Sequence, residues 1–351
     1  MLRELGTSGI KIHPLGMGTW AFGGGSYWGE QSQAEVNNIC AAALERGVNF
    51  FDTAEVYNAG TSETSLGVAL RGKRTQAVVA SKIAPSNCGD IEGHLDASLR
   101  RLQTDYVDLY MLHWPVNPLA LKHFGGEGDA RLPQVSEIFD TLQRMVQKGK
   151  VRAIGVSNFG KTQLEEALAT GCPVCINEIA YNIVSRAIEA EIAPLCLAKN
   201  ISVVGSMALQ QGLLAGAFAA PDDVPPPQAH SRHYQQSRGV GGGDPAQDSR
   251  HNEAGAEAEI FALLPELQRI AAEQGITTAQ LSVAWVLQKP FIASTLAGCR
   301  TVAQLEENIA ATEIALPQAV AAQIDALSLP VWQKLGDSAD YYENRRDSRI
   351  F

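Results

Sequence analysis

Along this chain, apolar runs with the composition of buried strands alternate with stretches whose apolar residues recur at helical spacing. Residues 48–54, VNFFDTA, read as a strand, and 62–72, SETSLGVALRG, as a helix. The pairing then repeats: strand 77–82 with helix 91–102, 106–113 with 135–149, 151–158 with 162–171, and 174–182 with 187–200. A strand over 201–208 is followed by helices near 259–273 and 278–288, then by strand 291–298 and helix 301–311. Ahead of these stand a Gly-rich strand, HPLGMGTW (13–20), and helix 32–47. Such alternation implies right-handed crossovers and a parallel sheet. Eight units in one run predict a closed (β/α)8 TIM barrel, one domain over 1–351, rather than an open doubly wound sheet. No G-x-G-x-x-G follows the first strand, and GGGS at 23–26 is a turn signal.

Two segments leave the repeat. Residues 219–256, after the seventh strand, are rich in Pro, Gly and polar residues and read as a long loop, either a functional lid or disordered. The tail, taken as 329–351, ends in a polar stretch with paired aromatics and arginines, LGDSADYYENRRDSRIF. Aromatics are unusual in a disordered tail, so this one is expected to dock.

Composition narrows the classes. The 351 residues are 45% hydrophobic and 19% charged, with a net charge of −10. An acidic chain without a basic face argues against nucleic-acid binding. No apolar run is long enough to span a bilayer and no basic-then-apolar leader is seen, so no membrane association and a cytoplasmic location are expected. The six cysteines are scattered. Cys172 and Cys175 form a C-x-x-C, but it leads into a strand with no second pair, and burial is the expected role.

Candidate chemistry lies at strand C-termini, where barrels of this kind build their sites. There stand Asp52, closing NFFD; Lys82, closing VVASK; and His113, closing LYMLH, with Tyr57 in the loop just after Asp52. A buried lysine or aspartate is costly unless paired. Asp52 would hold Lys82, and the ammonium would lower the phenol of Tyr57 from its ordinary ~10. His113 would orient a substrate oxygen or share its proton. Such a phenol suits proton donation to a carbonyl oxygen as hydride reaches carbon. A metal-dependent barrel hydrolase would need several His and Asp ligands at this rim, which offers few, so no metal is expected.

The motifs FFDTAEVYNAGTSETSLG, VVASK, DLYMLHWP, GVSNF and LEEN, in this order, resemble the aldo-keto reductases, from about residue 2 to about 328. The resemblance implies an NADP(H)-dependent oxidoreductase that interconverts an aldehyde or ketone and its alcohol. It also implies a catalytic tetrad of Asp52, Tyr57, Lys82 and His113, with Tyr57 as general acid and base. Trp20 and Trp114 would line the substrate pocket beside Tyr57 and His113. For the cofactor it implies Ser157 and Asn158 at the carboxamide, and Leu209, Gln211 and Gly212 at the pyrophosphate. Gly298, Arg300, Gln304, Glu307 and Asn308 would hold the adenosine end, and Gly18, Thr19, Trp20 and Asp52 would also contact the cofactor. Arg300 is the candidate fork for a 2′-phosphate, favouring NADP(H) over NAD(H). The 219–256 loop would lie on the cofactor side and the tail near the substrate pocket.

Two positions depart from the family. Glu178 stands where glutamine is usual, and an ionised carboxylate can only accept hydrogen bonds. Ser206 stands where an aromatic usually stacks on the nicotinamide. An ionised Glu178 is expected to replace part of that stacking by favouring the oxidised, cationic ring. Tyr341, Tyr342 and the Arg-rich end hint at a hydroxylated or sugar-like substrate. The alternative is a catalytically weak regulatory or channel-associated subunit of the same fold.

Overall fold

The computed structural model describes residues 1–25, 27–125, 133–241 and 248–351; Ser26 of GGGS and the 242–247 part of the long loop lie outside them. An antiparallel hairpin of β1 (Arg3–Glu4) and β2 (Lys11–Ile12) precedes the barrel. Eight parallel strands then close on themselves: β3 (Leu15–Gly18), β4 (Phe50–Asp52), β5 (Val78–Ile83), β6 (Val107–Leu112), β7 (Val151–Ser157), β8 (Val174–Ala180), β9 (Ser202–Ser206) and β10 (Ile292–Ala297). β10 pairs with β3 and completes the (β/α)8 barrel. The helices are α1 (Gln33–Glu45), α2 (Thr61–Ala69), α3 (Ile91–Leu102), α4 (Pro118–His123), α5 (Val135–Gln147), α6 (Lys161–Ala169), α7 (Ile192–Ala198), α8 (Glu257–Glu273), α9 (Thr278–Leu287), α10 (Val302–Ala311) and α11 (Gln318–Leu335). None is long and apolar enough to cross a membrane among the described residues.

The strands are apolar on both faces because both are covered. Phe50, Leu109, Met111, Ile176, Val204 and Leu296 belong to an inner core that also takes Leu5, Ile10 and Ile12 from the hairpin segment. A larger core fills the space between barrel and helices. Close packing decides some small residues: a Cβ on Gly16 would sit 2.6 Å from Phe50 and 2.7 Å from Leu296. Caps set helix starts where the sequence supplies them, as at Ser32, whose side chain and Glu35 bond reciprocally to open α1.

Three elements differ from the sequence expectation. The helix expected over 187–200 is a 3₁₀ turn, Ala187–Glu189, followed by α7, whose first turn holds Pro194, a position where no amide donor is needed. α4 lies outside the expected repeat; Asn117 caps it by accepting from the Ala120 amide, and Pro118 opens it. α11 also lies outside the expected repeat and includes residues 329–335 of the expected tail, so the tail proper starts at Gly336, whose φ of 72° ends the helix.

The long loop and the tail fasten to each other. The Arg232 guanidinium donates to the carbonyls of Leu335, Ser338 and Asp340 and pairs with Glu253. Arg349 is fully buried and donates to both oxygens of Asp340, at 2.8 and 2.7 Å. Its guanidinium lies over Trp114, 3.7 Å from the ring centre.

Candidate active site

Strand register sets the centre. Asp52 on β4 lies beside Ala80 on β5, two residues before Lys82, so Ala80 and Lys82 share a face. The Lys82 ammonium reaches both Asp52 oxygens at 2.6 Å, the Thr53 carbonyl at 3.2 Å and the Tyr57 hydroxyl at 3.1 Å. Tyr57 is presented by a tight turn in which Asn58 and Ala59 are left-handed, with φ 49° and 53°. The Asn58 amide fixes that turn by donating to the carbonyls of Trp20 and Phe22. The Tyr57 ring stands 6.0 Å from Trp20 and 5.5 Å from the His113 ring. The structure thus brings Asp52, Tyr57, Lys82 and His113 together.

Electrostatics revise one expectation. Burial raises the phenol of Tyr57, and the Lys82 ammonium recovers only part of the shift. The hydroxyl therefore carries its proton at neutral pH. Burial alone would lower Lys82, but the Asp52 carboxylate, held from both oxygens, outweighs it and keeps the ammonium charged. His113 is held well below its ordinary value by burial and then by Lys82, so it is neutral.

Glu178 forces a second correction. Its Oε1 is 3.2 Å from the Lys82 nitrogen, which already serves Asp52, while Oε2 has no partner among the described residues. Burial, then the charge of Asp52, pushes its carboxyl up to about 8. Glu178 is protonated at neutral pH, not ionised.

Two cavities meet at this centre. A groove of about 380 Å³ is lined on one wall by Gly18, Thr19, Trp20, Asp52 and Tyr57, and on its floor by Glu178 and Ser206. Leu209, Gln211 and Gly212 follow, then Gly298, Arg300, Gln304, Glu307 and Asn308 at the far end. The other cavity, about 330 Å³, is lined by Trp20, Tyr57, His113 and Trp114. Ser157 and Asn158 line this second cavity rather than the groove, and Asn158 donates to the His113 carbonyl.

Several candidates at the groove are already engaged. Arg300 donates to the Trp28 and Glu30 carbonyls. Gln304 accepts from the Arg300 amide, Glu307 accepts from Thr277, and Asn308 donates to Cys299. The segment around Trp28 forms a strap beside the groove, tied on its other side by the Tyr27 hydroxyl, which donates to the Pro227 carbonyl at 2.7 Å and lies 3.0 Å from the Gln211 side-chain amide. Trp28 and Tyr27 were not among the sequence candidates; the aromatic pair after the GGGS turn was their only signal.

Among the described residues of the long loop, expected on the cofactor side, none lines the groove, and Pro227 reaches its strap through Tyr27. The loop's His230 and Arg250 line the second cavity, with Tyr341 and Tyr342 from the tail and His123 and Phe124 at the end of α4. His230 stacks on Tyr342, ring centres 5.0 Å apart, and Arg250 pairs with Glu343. Burial pushes the imidazoles of His123 and His230 down to about 3 and about 4, leaving both neutral. His123, Phe124, His230 and Arg250 were missed; the run HSRHY inside the loop was the available clue.

A closed eight-stranded barrel whose rim joins a tyrosine, a lysine–aspartate pair and a histidine defines a carbonyl oxidoreductase of the barrel type. The chain belongs to the aldo/keto reductase family, whose model matches residues 14–329. It is 31% identical over 337 residues to the NADH-specific methylglyoxal reductase of Escherichia coli (strain K12), covering 90% of this chain and 94% of that protein. Among solved structures it is similar to the thermostable aldo-keto reductase Tm1743 in complex with the inhibitor epalrestat, with a TM-score of 0.72 and 28% identity over 93% of this chain and 99% of that one. It is also similar to an aldo/keto reductase from Klebsiella pneumoniae in complex with NADP and acetate, with a TM-score of 0.67 and 26% identity over 93% and 95% of the two chains.

Proposed function

We propose that the protein interconverts an aldehyde or ketone and its alcohol with a nicotinamide nucleotide, with Tyr57 as the general acid in reduction and the general base in oxidation. The observation that carries this reading is the 3.1 Å contact between the Tyr57 hydroxyl and an ammonium that Asp52 fixes from both oxygens. Lys82 stabilises the phenolate as the proton leaves. Burial keeps the phenol protonated until an acceptor arrives. His113, neutral, lines the same cavity and orients the carbonyl oxygen.

The groove suits a nicotinamide nucleotide because buried polar atoms of its lining, Glu178 Oε2 and Gln211 Nε2, have no partner among the described residues. Such a nucleotide supplies or accepts the hydride when bound. Ser157, Asn158 and Glu178 would hold its carboxamide, and the turn at Leu209–Gly212 its pyrophosphate. A preference for NADP(H) rests on Arg300, the one cation lining the groove's far end among the described residues. The second cavity is walled by polar rings, with Arg250 already neutralised by Glu343, and this favours a hydroxylated, uncharged carbonyl substrate such as a sugar.

The test is consumption of reduced nucleotide across sugars, aldehydes and ketones. Tyr57→Phe is expected to lose at least ~10²-fold in kcat while still binding nucleotide. Absence of turnover by the unaltered protein across the panel refutes the enzymatic reading and favours a regulatory subunit.

A further inference from the structure

The active-site floor contains one more acid than its ammonium can serve. Lys82 spends its three protons on Asp52, the Thr53 carbonyl and Tyr57. Asp52 holds both short contacts, whereas Glu178 has only the 3.2 Å approach and a buried, unpartnered Oε2. Two carboxylates on one ammonium would leave a net negative charge out of water, which is costly. The proton retained near neutral pH therefore sits on Glu178. In that form it offers one donor and one acceptor, as a glutamine amide does.

The difference from glutamine is that this proton can leave. Glu178 lines both the nucleotide groove and the substrate cavity. Ser206, at the position where an aromatic is usual in the family, lines the same groove. We infer that Glu178 is a redox-linked proton carrier: its O–H breaks when an oxidised, cationic nicotinamide occupies the groove, the proton passes to solvent, and the carboxylate stays to balance the ring. Resting on the nucleotide-dependent reading above, this makes binding of the oxidised form release a proton and binding of the reduced, uncharged ring release none. During reduction Tyr57 gives one proton to the product and regains one from solvent while Glu178 sheds one to solvent, so conversion within the complex takes up no net proton.

The groups facing Glu178 leave it as the one that titrates. Burial raises the Asp52 carboxyl from β4 as well, with Lys82 opposing the shift, and its two 2.6 Å contacts to the ammonium make it, rather than Glu178, the carboxyl that holds the charge; that carboxylate in turn raises Lys82 from β5. Tyr57 is raised by burial and His113, after β6, is lowered by burial. Ser157 and Asn158 at the end of β7 and Ser206 on β9 carry no charge.

The experiment is titration calorimetry with NADP⁺ and NADPH, in buffers of different ionisation heat, from pH 6 to 9. Unaltered protein is expected to release close to one proton on binding NADP⁺ at pH 6.5 and none on binding NADPH. Its affinity for NADP⁺ should rise by nearly tenfold per pH unit and level off above about 8, where free Glu178 is already ionised. In Glu178→Gln both affinities become flat with pH and the released proton disappears. Equal proton release with the two forms of nucleotide, or release that survives in Glu178→Gln, overturns the inference while leaving the enzymatic reading intact. Failure of either nucleotide, or of NAD⁺ and NADH used in their place, to bind the unaltered protein overturns both. The comparison of oxidised with reduced nucleotide decides the matter on the unaltered protein alone, should the variant fold poorly.

Discussion

Arg349→Ala should detach a wall of the substrate cavity without unfolding the barrel. Arg349 and Asp340 are both buried, joined by two side-chain bonds, and the Arg349 amide adds a third at 2.9 Å. Removing one member of such a pair costs about 3–5 kcal/mol, because the remaining charge stays desolvated. Loss of the stack on Trp114 adds about 2 kcal/mol. The barrel need not bear this cost, since the tail can swing out and return Asp340 to water. The drop in global stability is thus capped at the free energy of tail docking. The expected phenotype is rapid cleavage within 336–351 in limited proteolysis and a KM raised by about 10–100-fold, as about 1.4–2.8 kcal/mol of binding is lost. Nucleotide affinity should not change, because no tail residue lines the groove. The double variant Asp340→Ala/Arg349→Ala should be more stable than Arg349→Ala alone. Acid should mimic the single variant. Burial alone would raise the Asp340 carboxyl, but Arg349 outweighs it and holds it below its ordinary 3.8. The docking it supports is therefore present above that value and is lost as pH falls through the lower folded one. An unchanged KM and protease pattern in Arg349→Ala, or additive losses in the double variant, would refute this account.

Lys82→Met removes an ammonium 3.1 Å from the phenol, an interaction of about 5 kcal/mol at an effective dielectric of ~20. With the proton about half transferred in the transition state, kcat should fall by roughly 10²-fold, read by single-turnover reduction at several pH values. Arg300→Ala separates two roles of that side chain. If it also holds a 2′-phosphate, the dissociation constant for NADPH should rise about 10-fold or more over that for NADH, as a charge-assisted bond is worth ~1.5–3 kcal/mol. Equal weakening of both would mean that Arg300 serves only the strap. Glu178→Gln should stabilise the protein without nucleotide at pH 8.5 and change little at pH 4.5, seen in thermal melts. A carboxyl raised on folding costs stability as pH climbs from its unfolded value toward about 8.

The barrel was legible because strands covered on both faces write themselves as continuous apolar runs, from VVASK to IASTLA. The two-residue strands of the hairpin leave no such trace, and α4 and α11 lie outside the eightfold alternation. The meeting of Asp52, Lys82 and His113 followed from their position at strand ends, since register alone fixes it. The sign of the Tyr57 shift was not legible, because it depends on how much water the finished pocket excludes. Likewise, nothing local in HSRHY or DSADYY says that Arg232 reaches back to Leu335, or that His230 meets Tyr342. Those walls exist only once two distant segments have met.

The tie across Trp28 bears on the order of events in a catalytic cycle. Three hydrogen bonds, two from Arg300 and one from the Tyr27 hydroxyl to the Pro227 carbonyl, hold that crossing in place. If the groove holds the proposed dinucleotide, its departure is expected to require that these bonds break, while the substrate cavity is not crossed by the strap. On the proposed reading, the nucleotide is expected to bind first and leave last, with a fast burst of chemistry ahead of a slower departure in pre-steady-state measurements.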